Sequence, residues 1–240
     1  MTASTDRVAV VTGASMGIGA GLAAMLAAEG ARVVLAARRA DALERAAQSI
    51  RQTGGAAVPV VTALADDAAL ANLVARTRAE FGPIDILVND AGYAVWKLLE
   101  ATSLAEWDHT FAENARAAAH LCAAALPEMQ VPIRAHQHRQ PGRRGLIPRP
   151  GGVLRQQARL ARPDRSHPRH QPRQRDQSLG RLPRRSLTWP WGYVVPGANP
   201  ATFLRVDEVV DVVRFLLHTG DKVKLGPGGP LRTMRNPMPA

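Results

Sequence analysis

Between a β-branched run, Arg7 to Thr12 (RVAVVT), and an Ala/Leu/Met run from about Ile18 to Ala28, the chain places Gly13, Gly17 and Gly19 in the spacing TGxxxGxG. The hydrophobic pattern changes there from that of a short buried strand to that of a helix, so a strand must become a helix over a few residues. Glycines let the backbone take unusual angles and approach a ligand closely, and the helix N-terminus that follows offers unpaired N–H groups and a favourable dipole to an anion. The turn therefore suits the phosphates of a dinucleotide. A glycine turn by itself also serves purely structural ends, so its neighbours have to decide.

Those neighbours repeat the same plan. Arg32 to Ala37 (RVVLAA) reads as a second strand and ADALERAAQSIRQ as a helix; AAVPVVTAL (56 to 64, strand core 58 to 63) is a third strand, 66 to 80 a third helix, and IDILVNDAG (84 to 92, strand core 84 to 90) a fourth strand. Short-linked alternation of this kind predicts an α/β fold: a single-domain, Rossmann-like, doubly wound parallel sheet with helices on both faces. The second strand ends in Arg38 and Arg39, with no acid at its tip. An acid there would bond the ribose 2′-hydroxyl of NAD, whereas an arginine accommodates the 2′-phosphate of NADP. A solvated pair opening the next helix is the plainer alternative.

TGASMGIG after the first strand, Arg after the second, LVNDAG after the fourth and an Asn within FAENARAAAHL together resemble the short-chain dehydrogenase/reductase family over Arg7 to about Met129. The resemblance implies an oxidoreductase that moves a hydride between the nicotinamide of NADP(H) and a small carbonyl or alcohol substrate. It implies that Gly13, Ser15, Met16, Gly17, Ile18 and Gly19 line the cofactor phosphates. Arg38 and Arg39 would hold the 2′-phosphate, Leu64 would flank the adenine, and Asn89, Ala91 and Gly92 would lie along the adenosine side. Asn114 would be the helix Asn that orders a proton-relay water, and the protein would be a homo-oligomer, a dimer or tetramer, through the helices after strands four and five. Two departures stand out: Asp90 where the family usually has a second Asn, and Ala63 where it usually has an Asp. The second should remove about one hydrogen bond to adenine, on the order of 1 kcal/mol.

The second half breaks the pattern. The chain's net charge of +11 is concentrated between Val131 and Ser186, where 15 Arg, no Lys and 2 Asp give +13; the other residues sum to −2. This interval holds eight Pro and no Phe, Trp or Tyr, so it is expected to lay no apolar face on the sheet. The family's reaction needs a Ser, a Tyr and a Lys four residues after the Tyr, the Lys lowering the phenol's pKa toward neutrality. Between Gln130 and Leu187 there is neither Tyr nor Lys.

Arg, Pro, His, Gln and Leu make up 39 of those 56 residues, and all can be encoded by codons beginning with C. A gene rich in C at third positions, read one base out of register, gives such a composition. Shifting the frame back, His136 to Pro141 admits Ile-Asn-Ile-Ala-Ser, the usual end of the family's fifth strand. Val153 to Ala158 admits Tyr-Cys-Ala-Ser-Lys, and Pro172 to Leu179 admits Arg-Val-Asn-Ala-Ile-Ser-Pro. The spacing from the Lys slot to the last motif is about five residues short. A frame-shifted segment from about 130 to about 190, whether from an error or a damaged gene, is therefore expected; a genuine basic arm is the alternative. The pattern of the first half resumes from about residue 200, with an amphipathic helix from about Val206 to His218 leading into a last strand.

Nucleic acid is not an expected partner, because the arginine tract has no aromatic residue to stack on bases and no groove-reading helix. No metal is expected: His136/His138 and His167/His170 have no carboxylate or Cys partners at suitable spacing. Cys122 reads as a small core residue. The N-terminus has no basic region followed by an apolar run, and no stretch approaches membrane-spanning length, so a cytoplasmic location away from membranes is expected.

Overall fold

The computed structural model describes residues 4–95, 98–129, 135–137, 205–219, 223–226 and 229–232. Strands β1 (Val8–Thr12), β2 (Arg32–Ala37), β3 (Ala56–Val61) and β4 (Ile86–Asn89) alternate with helices α1 (Gly17–Ala28), α2 (Ala40–Gln52) and α3 (Asp67–Glu80). After β4 come α4 (Leu104–Phe111), a π-helical turn (Ala112–Arg116) and α5 (Ala117–Ala125). Strand β5 (Ala135–Gln137), helix α6 (Val206–Thr219) and strands β6 (Val223–Gly226) and β7 (Gly229–Arg232) complete the described elements.

The five-stranded sheet runs β3-β2-β1-β4-β5 with every pair parallel. Strands in such a sheet are covered on both faces, which is why they read as apolar runs with little polar alternation. Alternate residues sort cleanly. Ala9, Val11, Val33, Leu35, Ile86 and Val88 join one core with α1, α2 and α6. Val10, Val34, Ala36, Val60 and Leu87 join the other with Leu70, Leu73 and Val74 of α3 and Ala117, Leu121 and Ala125 of α5. Helices thus lie on both faces, as the alternation in sequence predicts. Pro59 is tolerated within β3 because that strand is at the sheet edge.

The chain travels outward from β1 to β3 and then returns across β1 to β4, so adjacent strands β1 and β4 lead to opposite sides of the sheet. Such a switch point leaves a crevice outside the carboxyl ends of the strands.

Two features of the later chain refine the sequence reading. Ala135–Gln137, inside the arginine-rich interval, extends the sheet by pairing Leu87 with Ala135, Val88 with His136 and Asn89 with Gln137. The backbone alone makes this ladder, so a run without apolar alternation can still join it. The rest of the 131–186 interval lies outside the described residues, as do the Ser, Tyr and Lys slots of the shifted frame. The strand that follows α6, β6, pairs antiparallel with β7 in a two-stranded ribbon; among the described residues it does not enter the parallel sheet. The GPGG segment between Leu225 and Pro230 is a turn signal that favours such a hairpin.

Helix α6 docks on α1. Val209, Val213 and Leu217 belong to the α1 core, and a Cβ on Gly21 would meet Val206 Cγ1 at 2.8 Å and Val210 Cγ2 at 3.0 Å. Glu29, just past α1, sits 3.4 Å from Arg214 and 3.7 Å from His218 and accepts a hydrogen bond from Ser4 Oγ.

Candidate functional site

A cleft of about 320 Å³ opens at the carboxyl ends of β1 to β4. Gly13, Ser15, Met16, Gly17 and Ile18 form one wall, Ala36 to Arg39 the tip of β2, and Thr62 and Leu64 the end of β3; Asp90, Ala91, Gly92 and Glu113 complete the lining. The sequence-predicted phosphate turn, ribose-side arginines and Leu64 therefore meet in one place.

The turn needs its glycines. Gly13 has φ +72°, a left-handed conformation, and a Cβ on it would fall 2.9 Å from the backbone nitrogen of Ala91. A Cβ on Gly19, which is buried, would fall 2.6 Å from the carbonyl oxygen of Gly13. The loop after β1 and the loop after β4 thus touch through bare backbone. Thr12 secures the approach: its hydroxyl donates to the carbonyl of Val88 and accepts from the N–H of Ala91, at 3.3 and 3.2 Å. No side chain caps the first turn of α1, and that turn contains no acidic residue. The Asp90 carboxylate also stands at this turn, 2.9 Å from where a Cβ on Gly19 would sit. The bare backbone and the dipole at the start of α1 fit a dinucleotide's phosphates.

At the tip of β2, Arg38 and Arg39 are exposed and both line the cleft. Arg39 Nη2 lies 2.8 Å from the thioether sulfur of Met16, and Arg38 Nη1 lies 3.9 Å from Glu113 Oε1. Two guanidinium groups at the ribose end fit a 2′-phosphate by charge and by donor geometry.

Asn89 does not line the cleft. Its side chain is buried and its amide donates to Cys122 Sγ at 3.7 Å, tying β4 to α5. Ala91 and Gly92 are at the cleft wall. Asn114 is held in the π-helical turn by three hydrogen bonds: Nδ2 donates to the carbonyls of Tyr93 (2.6 Å) and Thr110 (2.8 Å), and Oδ1 accepts from the N–H of Tyr93 (3.0 Å). Both of its amide protons are committed, and one lone pair of Oδ1 remains to accept from a water or hydroxyl. The Asn114 side chain therefore clamps the loop after β4 to the helix. The Tyr93 and His109 rings meet edge to face, with centroids 4.7 Å apart and planes at 79°.

Glu113 was not singled out by the sequence. It is 5% exposed and faces Arg38 and His109, each at 3.9 Å. The available signal was a charged residue between Ala112 and Ala115 beside the predicted site Asn. Among the described residues no group of three or more His, Cys, Asp or Glu side chains could hold a metal ion, and no helix is long and apolar enough to cross a membrane.

A family model described as short chain dehydrogenase matches residues 7–140. The chain belongs to this family. This short-chain dehydrogenase is 39% identical over 132 residues to glycine betaine reductase of Emericella nidulans, covering 55% of this chain and 10% of the fungal protein. It is 36% identical over 129 residues to an uncharacterized oxidoreductase of Staphylococcus aureus, covering 54% of this chain and 55% of the other. The matches thus span a tenth of the first relative and about half of the second. Among solved structures, a metagenomic short-chain oxidoreductase in complex with NADP superposes with a TM-score of 0.68 at 25% identity, covering 93% of this short-chain dehydrogenase and 96% of that chain. L-sorbose reductase from Gluconobacter frateurii, complexed with NADPH and L-sorbose, gives 0.51 at 34% identity over 52% and 48% of the two chains.

Proposed function

We propose that this short-chain dehydrogenase binds NADP(H) in the cleft and, with its catalytic segment intact, moves a hydride between the nicotinamide and a small carbonyl or alcohol substrate. The observation that carries the reading is the meeting of the glycine turn at the start of α1 with Arg38 and Arg39 in one cleft. The bound cofactor would supply the hydride chemistry, and the protein supplies grip and orientation. Gly13 to Gly19 hold the phosphates, Arg38 and Arg39 the 2′-phosphate, and Leu64 an apolar wall for the base. NADP- and NADPH-bound relatives support the choice of cofactor. Asn114 fixes the loop after β4 and keeps one acceptor for a relay water. We further propose a homo-oligomer, a dimer or tetramer, through the helices after strands four and five, supported on the first of these by the exposed Leu104 and Phe111 of α4, and checked by light scattering of the purified chain.

The test is equilibrium binding of NADPH and NADH to the full chain and to a variant with Arg38→Ala and Arg39→Ala. Charge-assisted contacts to the 2′-phosphate contribute roughly 1.5 to 3 kcal/mol, so the preference for NADPH should fall about tenfold to a hundredfold. An unchanged ratio of affinities refutes the assignment.

A second reading is a nucleotide-binding protein without turnover. It rests on the absence of Tyr and Lys from Gln130 to Leu187. A frame-shifted interval accounts for that absence, and it is supported by the three family-like motifs that emerge in order when the frame is moved. Sequencing codons 128 to 200 of the gene decides between a misread interval and a genuine basic arm.

A further inference from the structure

The cleft proposed to grip the cofactor is lined by two charges of the wrong sign, Asp90 and Glu113, and Glu113 is the one that faces Arg38. Glu113 is held by the π-helical turn with its carboxylate nearly sealed from water at 5% exposure, yet it lines the cleft. Its neighbours are the Arg38 guanidinium, from the tip of β2, and the His109 ring, one turn earlier on α4, and both are 3.9 Å away. That separation is too long for a hydrogen bond. A buried carboxylate normally takes several donors, and this one has a Coulombic partner without the geometry that fixes it.

Position and charge are therefore unequal partners here. Glu113 is fixed by the backbone of a buried turn, whereas Arg38 is 58% exposed and free to reach across the cleft. We infer that Glu113 is a cofactor-choice residue that works against the 2′-phosphate, drawing Arg38 toward itself and repelling the incoming dianion. Resting on the NADP(H) reading above, this adds to it a brake: the two arginines set the preference, and Glu113 limits it. In a partly buried cleft, a charge a few ångströms from the phosphate is weakly screened, so its removal should matter on the order of tenfold. A ligand that lacks the 2′-phosphate presents nothing for Glu113 to oppose.

The experiment measures calorimetric binding of adenosine 2′,5′-bisphosphate and adenosine 5′-monophosphate to the full chain, to E113Q and to E113L. Gln keeps the shape and removes the charge; Leu replaces a buried carboxylate with an apolar group, a change that is often neutral or stabilising. The expected result is an approximately tenfold gain for the bisphosphate in both variants, a change within about twofold for the monophosphate, and a gain that shrinks as salt rises. If the unmodified chain binds neither nucleotide, the cofactor reading falls, and the inference with it. If it binds both and the variants leave the ratio unchanged, or weaken the bisphosphate, the inference alone is overturned, because Glu113 would then be inert or would position Arg38 for binding. Failure of both variants to fold also overturns it, since a carboxylate required by the fold is not one held against a ligand.

Discussion

Single side chains at the cleft carry unusually separable roles. Asn114 makes three hydrogen bonds to the backbone, two of them to Tyr93. Asn114→Ala would leave partly buried peptide groups without partners and should cost about 2 to 4 kcal/mol, read as a lowered midpoint in urea. Asn114→Asp should be nearly as damaging, because a carboxylate cannot donate to two carbonyls. Gly13→Ala meets the nitrogen of Ala91 at 2.9 Å from a left-handed backbone; a loss of roughly 1 to 3 kcal/mol in stability, with weakened nucleotide binding, is expected from thermal melts and titration. These positions differ in how openly the sequence displays them. Gly13, Gly17 and Gly19 announce themselves because only glycine tolerates such a turn next to a strand. Asn114 was legible as a site residue, but its clamp on Tyr93 depends on a loop path that no local pattern encodes. Glu113 was invisible because a Glu in a helix normally faces water, and only the tertiary packing buries this one.

At the level of elements, the first four strands were legible because each is an apolar run buried on two faces, and their ends moved by only a few residues. β4 begins at Ile86, and Asp85 just before it already binds the start of β1: its N–H donates to the carbonyl of Val8 and its carboxylate accepts from the N–H of Val8, each at 2.9 Å. The break in helicity at Ala112–Arg116 was hidden, since AENAR reads as ordinary helix; π-turns arise from tertiary demands and cluster at functional sites. Helix α3 is capped by Asp66, whose Oδ1 accepts from the N–H groups of Ala68 and Ala69. Asp66→Ala should cost about 1 kcal/mol and leave nucleotide affinity within experimental error, a result to be read from paired denaturant melts and titrations. The α1–α6 contact offers a sharper test. Gly21→Ala pushes a methyl to within 2.8 Å of Val206 and should cost roughly 1 to 3 kcal/mol by overpacking, whereas the same change combined with Val206→Ala should recover most of it.

For the molecule as a whole, grip and chemistry fall on different parts of the chain. The nucleotide cleft is assembled from residues 13 to 113, but no Tyr or Lys falls between Gln130 and Leu187, where the resemblance would place the Tyr and Lys of the family's reaction. The chain as written is expected to show no NADPH oxidation with ketones and aldehydes, while a frame-repaired version is active. A positioned proton donor typically contributes 10² to 10⁴-fold, and a lost oxyanion-type donor removes roughly another 10² to 10³. Turnover by the unrepaired chain would show that other residues supply these roles. The docking of α6 on α1 also sets a schedule. A ribosome adding about 5 to 20 residues per second needs roughly 10 to 35 seconds to travel from the end of α1 to the start of α6. Throughout that interval the nascent glycine turn sits on a helix whose apolar back has no cover. Whatever chaperone or protease meets the growing chain meets it there, and the synthesis of α6 decides when that exposure ends.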